Sequence, residues 1–176
     1  MVGRKLIAFS GVFLALSLAA VAQETNFNGT WVLDTNRSRL TPGGGLARIG
    51  DGGAPQRLHV THSLNGDVTL LSEVNESQAR TYKLNAESTI PVSQDTDMSV
   101  VARWNGPRLV VEGTRVDGGS AAVTTVRRTL ELSSNGSVLT IDVSTTSSDT
   151  EQSSRLVYNR TTTVPACEEW STPCLP

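Results

Sequence analysis

From residue 29 to residue 160 apolar and polar residues alternate in short runs, as in RLHVTH (57–62), RLVVEG (108–113) and LTIDV (139–143). Side chains of an extended strand leave opposite faces in turn, so this alternation predicts half-buried β-strands. Val and Thr are abundant, and no window carries an apolar stripe at helical spacing. Strands are predicted at 29–34, 56–64, 67–74, 79–84, 98–104, 108–116, 121–132, 138–146 and 153–160.

The joints between these runs hold turn chemistry. Asn65-Gly66, Asn105-Gly106, Asp117-Gly118 and Asn135-Gly136 each separate two runs, and such pairs accept the positive φ of tight hairpins. Strands joined so closely must be antiparallel neighbours. A long meander of this kind hides its edges best by closing on itself. The expected fold is therefore all-β, an up-and-down antiparallel barrel of about 8–10 strands. The architectural alternative is a two-sheet sandwich.

Two stretches break the pattern. TPGGGLARIGDGGAP (41–55) holds six glycines and two prolines, too flexible for regular structure, and is read as a flap over an opening or a surface insertion. STIPVSQDTD (88–97) is polar and acidic and is read as a rim loop.

Ahead of the strands, residues 1–22 have the three parts of an export signal. Arg4 and Lys5 precede the apolar run from Leu6 to Ala20, and small residues at Ala20 and Ala22 suit a signal peptidase. Cleavage after Ala22 is expected, giving a secreted or periplasmic protein with no membrane anchor, since no cysteine lies near the cleavage point to accept a lipid. The barrel domain is then 23–160 and the tail 161–176. Cys167 and Cys174, the chain's two cysteines, are expected to form a disulfide that pins this tail.

The formal net charge is −2, and loss of Arg4 and Lys5 makes the chain more acidic still. That argues against a nucleic-acid or anionic-membrane surface, which needs a basic patch to displace counterions.

Two motifs at the ends of the predicted barrel carry a resemblance. NGTWVLD (28–34) resembles the Gly-x-Trp opening of the lipocalin and wider calycin families, and RLVYNR (155–160) is similar to their closing strand. ARWNGPRLVVE (102–112) resembles a mid-barrel hairpin of uncharacterised bacterial secreted lipocalin-like domains. The resemblance implies that Trp31 plugs the closed end of the barrel and that Arg160 covers it. A guanidinium over an indole face contributes about 0.5–2 kcal/mol. It implies a monomeric carrier of a small hydrophobic or amphipathic molecule.

Candidate chemistry is sparse. His59 and His62 leave opposite faces of one predicted strand and cannot converge on a metal, so no metal site and no cofactor are expected. No nucleophile elbow, zinc-protease pair or phosphate loop is present, and no catalytic residue is assigned. Glu112, Glu131 and Asp142 alternate with apolar neighbours and read as solvent-facing. The face shared by Val100, Ala102 and Trp104, with that of Leu109 and Val111, is the expected cavity lining. Arg127 and Arg128 are consecutive, so one of them must point inward, and Arg128 is assigned to the ligand site. An inward arginine needs a partner, either a ligand carboxylate or an internal ion pair. Alternative roles are a protein-binding or inhibitory module that uses the rim loops, and a calycin-like isomerase or lyase.

Overall fold

The computed structural model describes residues 25–41, 55–72, 79–93, 96–116, 123–147 and 150–162. The expected leader, the glycine-rich stretch 42–54, the Asp117-Gly118 turn and the cysteine pair Cys167 and Cys174 lie outside the described residues.

Ten strands follow one another: β1 (Gly29–Leu33), β2 (Arg57–His62), β3 (Val68–Ser72), β4 (Arg80–Tyr82), β5 (Glu87–Ser93), β6 (Thr96–Asn105), β7 (Arg108–Val116), β8 (Val123–Leu132), β9 (Val138–Ser147) and β10 (Thr150–Thr161). They form one antiparallel sheet in the order β4-β3-β2-β1-β10-β9-β8-β7-β6-β5. Sequence neighbours therefore pair everywhere except between β4 and β5, and β1 pairs with β10 to bring the two ends of the meander together. The result is a nearly closed up-and-down barrel. Its seam lies between β4 and β5, where Leu84 bridges to Ala102 and Asn85 N–H donates to the Ala102 carbonyl at 2.7 Å.

The described tight turns follow their residues. Gly66, Gly106 and Gly136 have φ of +89°, +58° and +68°. Between the paired Asn105 and Arg108 the tip is Gly106-Pro107, a positive φ followed by proline's fixed negative one, which is the type II′ pattern.

One expectation is corrected. Residues 88–93 and 96–97 are strand and not a rim loop: Glu87–Ser93 is β5, and β6 begins at Thr96. Its apolar content is low, yet Ser88 and Ile90 are buried while Thr89 is exposed, so the alternation is present in a weak form. Pro91 looks like a strand breaker, but β5 ends the sheet order and an edge strand tolerates a missing N–H.

The interior is one continuous core fed by every strand, from Val60 and Val68 through Ile90, Leu109 and Leu130 to Leu139 and Leu156. The outer wall is knitted by cross-strand ion pairs. Arg108 Nε lies 2.9 Å from Glu131, Arg155 Nε 2.6 Å from Asp142, and Glu112 holds both Arg103 and Arg127. The three carboxylates read as solvent-facing thus sit on the outer wall.

Candidate functional site

The segment 25–28 crosses the barrel end that carries the 63–67, 106–107 and 133–137 turns. Thr25 Oγ1 donates to the Pro107 carbonyl at 2.7 Å, Phe27 N–H donates to His62 Nε2 at 3.1 Å, and His62 N–H donates to Asn28 Oδ1 at 2.6 Å. Phe27 is driven inward and stacks on Trp104, centroids 5.6 Å apart and planes within 12°. Trp31 is fully buried beside it and donates its Nε1–H to the Phe27 carbonyl at 3.1 Å. The Arg160 guanidinium lies 4.4 Å from the Trp31 ring centre. It also donates to the Asn28 carbonyl at 2.7 Å and the Gly136 carbonyl at 2.9 Å. This end is a plug of three aromatic rings under a charged clasp.

The two histidines do leave opposite faces of β2. His59 Nδ1 is 2.9 Å from Thr30 Oγ1, and burial lowers its pKa from 6.5, whereas His62 turns to Phe27, ring centroids 5.8 Å apart.

Above the plug a polar cluster interrupts the apolar interior. Arg128 points inward and Arg127 outward, so alternation on β8 resolves the consecutive pair as it must. Arg128 is 5% exposed and donates to the Tyr82 hydroxyl at 2.7 Å. Arg80, 4% exposed on β4, and Tyr158 on β10 complete a cluster of two guanidiniums and two phenols. Arg80, Arg128 and Tyr158 line a hollow of about 30 Å³ whose other walls are apolar, including Leu58, Leu130 and Leu156. That is space for one or two water-sized groups, about the size of a carboxylate. The Tyr158 hydroxyl has no hydrogen-bond partner among the described residues.

Desolvation dominates the electrostatics here, because burial penalises whichever form is charged. It lowers the Arg128 pKa to about 10 and lowers that of Arg80, an effect that neighbouring Tyr82 and Tyr158 oppose. It raises Tyr82 to about 12 and pushes Tyr158 up as well, with Arg80 pulling both back. Such a cluster offers guanidinium and phenol donors to a compact anion in the hollow.

The expected lining residues are all inside. Val100, Ala102, Leu109 and Val111 are buried in the core and Trp104 packs against it. They do not line the hollow, which lies against β2, β3, β4 and β8–β10, and one face of Trp104 is taken by Phe27. Arg128 is the assigned residue that reaches the hollow. Arg80, Tyr82 and Tyr158 were not assigned from sequence. The signal for them is parity: in ARTYKL (79–84) Arg80 and Tyr82 share a face with Leu84, and on β10 Tyr158 shares one with Leu156. Exposed large apolar residues on the described strands, Val32, Val101 and Val123, stand on three different strands that are not neighbours.

No family model matches the chain, and no curated protein matches it. Solved structures do match in fold. A secretory abundant heat soluble protein from Ramazzottius varieornatus is 13% identical, with 80% of this chain and 98% of that chain covered and a TM-score of 0.51. Lipid binding protein 8 from Caenorhabditis elegans is 10% identical, with coverages of 77% and 95% and a TM-score of 0.54. A structure named as the REP1-NXSQ fatty acid transporter is 9% identical, with coverages of 78% and 98% and a TM-score of 0.50. What these structures share with this chain is the fold, the nearly closed antiparallel β-barrel that the sequence pattern predicted.

Proposed function

We propose that the chain is an exported, monomeric carrier of a small amphipathic molecule, whose anionic head occupies the hollow beside Arg80 and Arg128. The observation that carries this reading is the cluster itself: two buried guanidiniums and two phenols on one hollow inside an otherwise apolar barrel. A carboxylate there would accept from both arginines and from the Tyr158 hydroxyl, and charge-assisted bonds of this kind are the strong ones. The names of two proteins with the same fold, a lipid binding protein and a fatty acid transporter, support an apolar tail. The leader pattern of residues 1–22 supports export.

Size constrains how the molecule enters. The hollow admits a head group, whereas small-molecule pockets run to about 300–1,000 Å³. The tail must therefore part the wall, and the β4–β5 seam, where the sheet order ends, is where parting breaks the fewest ladder bonds.

The test is titration of the protein with a long-chain carboxylic acid, its methyl ester and the matching alcohol. The acid is expected to bind about tenfold or more tightly than the uncharged analogues, and Arg128→Met to abolish the difference. Equal binding of acid and ester, or no binding of any, would overturn the reading.

A further inference from the structure

On the outer wall, remote from the hollow in facing, the strands β8, β9 and β10 and the segment after β1 enclose a second concavity of about 640 Å³. Its position follows from register. Arg127 stands opposite Ser144, which stands opposite Ser153, and in the next row Thr129, Asp142 and Arg155 align. These alternate with the inward Arg128, Leu130, Ile141 and Leu156, so they share the outer face.

The segment 34–41 forms the remaining wall, and its backbone is fixed to β10. Arg39 exchanges two hydrogen bonds of 2.8 Å with Arg155, and Thr41 N–H donates to Ser154 Oγ at 3.0 Å. This places Arg37 and Arg39 across from Arg127 and Arg155. Four arginines and one aspartate therefore line one groove in a chain whose net charge is −2. Such a concentration is not what an acidic chain distributes at random.

The four guanidiniums are not equivalent. Asp142 grips Arg155 through two bonds of 2.6 and 2.9 Å, and Glu112 holds Arg127 from the neighbouring strand. Those two are held in place. The side chains of Arg37 and Arg39 have no ion-pair or hydrogen-bond partner among the described residues. Nor do the hydroxyls of Thr129, Ser144 and Ser153, which leaves the groove with donors arranged on both walls.

We propose that this groove binds the terminal phosphate of a phosphate monoester. A phosphate presents three acceptor oxygens and close to two negative charges, matching forked guanidinium donors on both walls better than a carboxylate, which carries one charge on two oxygens. The same chemistry is offered by a soluble phosphate monoester and by the head group of phosphatidic acid in a bilayer. The inference does not rest on the interior ligand: the groove's four arginines are not those of the hollow, and each proposal can fail without the other.

The experiment is calorimetric titration of the full chain with glycerol phosphate, alongside flotation with phosphatidylcholine vesicles with and without phosphatidic acid. Saturable binding of glycerol phosphate, weakened about tenfold by Arg37→Gln or Arg39→Gln and unaffected by Arg108→Gln, identifies a soluble monoester. Flotation that requires phosphatidic acid and is lost in the same two variants, without binding of glycerol phosphate, identifies the lipid head group. Both substitutions fall on exposed side chains, so the folded protein remains available for measurement. Absence of binding in both arms up to about 10 mM phosphate, or binding that the Arg37 and Arg39 variants leave unchanged, overturns the proposal.

Discussion

Trp31 and Arg160 are direct cross-strand partners, residue opposite residue on β1 and β10, and the guanidinium rests over the indole. The first and last strands are thus stapled where the two ends of the meander meet. The staple also organises the backbone beyond it, because Arg160 reaches the Asn28 and Gly136 carbonyls. Gly29 makes room for it: a Cβ there would lie 2.9 Å from Arg160 Nη1, at a φ of +141° that L side chains rarely adopt.

Arg160→Ala is expected to lower stability by about 1–3 kcal/mol, from loss of the cation–π contact and two charge-assisted hydrogen bonds. Arg160→Lys should recover only part of this, since an ammonium lacks the fork that spans two carbonyls. Urea unfolding followed by tryptophan fluorescence measures both. Equal stability of wild type and Arg160→Ala would show that the clasp is ornamental.

That pairing is legible in the sequence because it joins two strands whose parity is clear and whose end motifs are distinctive. The barrel itself is legible for a related reason: tight-turn pairs force neighbour-to-neighbour pairing, and closure follows from the need to bury edges. β5 is hidden because a strand at the seam needs few apolar residues and tolerates Pro91. Phe27 is hidden because it precedes the first strand, and its inward turn depends on His62, far along the chain. Of the polar cluster, Arg128 is readable from two consecutive arginines on a strand. Arg80 is readable only by trusting parity in a strand of three residues, and the outer groove requires the register of three strands at once.

Two glycines should respond to alanine for different reasons. At Gly113 a Cβ would sit 2.3 Å from the Ser99 carbonyl oxygen and 2.6 Å from Val100 Cγ1, so the β6–β7 pair must separate. At Gly106 nothing lies within 4 Å, and only the φ of +58° opposes a side chain. Gly113→Ala is expected to cost about 1–3 kcal/mol through overpacking, and Gly106→Ala about 1 kcal/mol through backbone strain. Chemical denaturation midpoints rank the two. A larger loss at Gly106 would contradict the close approach of β6 to β7.

The chain has two tyrosines, and both are buried. Tyr82 is raised to about 12 and Tyr158 is raised too, chiefly by desolvation. A folded-state pKa above the unfolded value of about 10 means stability that is complete below pH 10 and is lost as pH rises through the folded values. Arg128 works in the opposite direction, because its lowered pKa makes the folded state release a proton first. Absorbance is therefore the cleaner measurement: tyrosinate is expected to be nearly absent from the native protein at pH 10 and about half formed in urea. Native ionisation of one tyrosine at pH 10 would place that ring in water.

The polar cluster should separate binding from stability. Replacing a buried charged group by an apolar one of similar volume is often neutral or stabilising by about 1–4 kcal/mol, because the desolvation cost disappears. Arg128 donates to Tyr82, so Arg128→Met alone removes the donor on the phenol oxygen. The pair Arg128→Met with Tyr82→Phe removes that donor and that acceptor together. The double variant is expected to unfold at the same or higher urea concentration than wild type, while losing preference for the carboxylic acid over its ester. A cluster that served only to hold β4 against β8 would give the reverse, a clear fall in stability with no change in that preference. Measuring both quantities on one preparation decides whether these buried charges are retained for a ligand or for the fold.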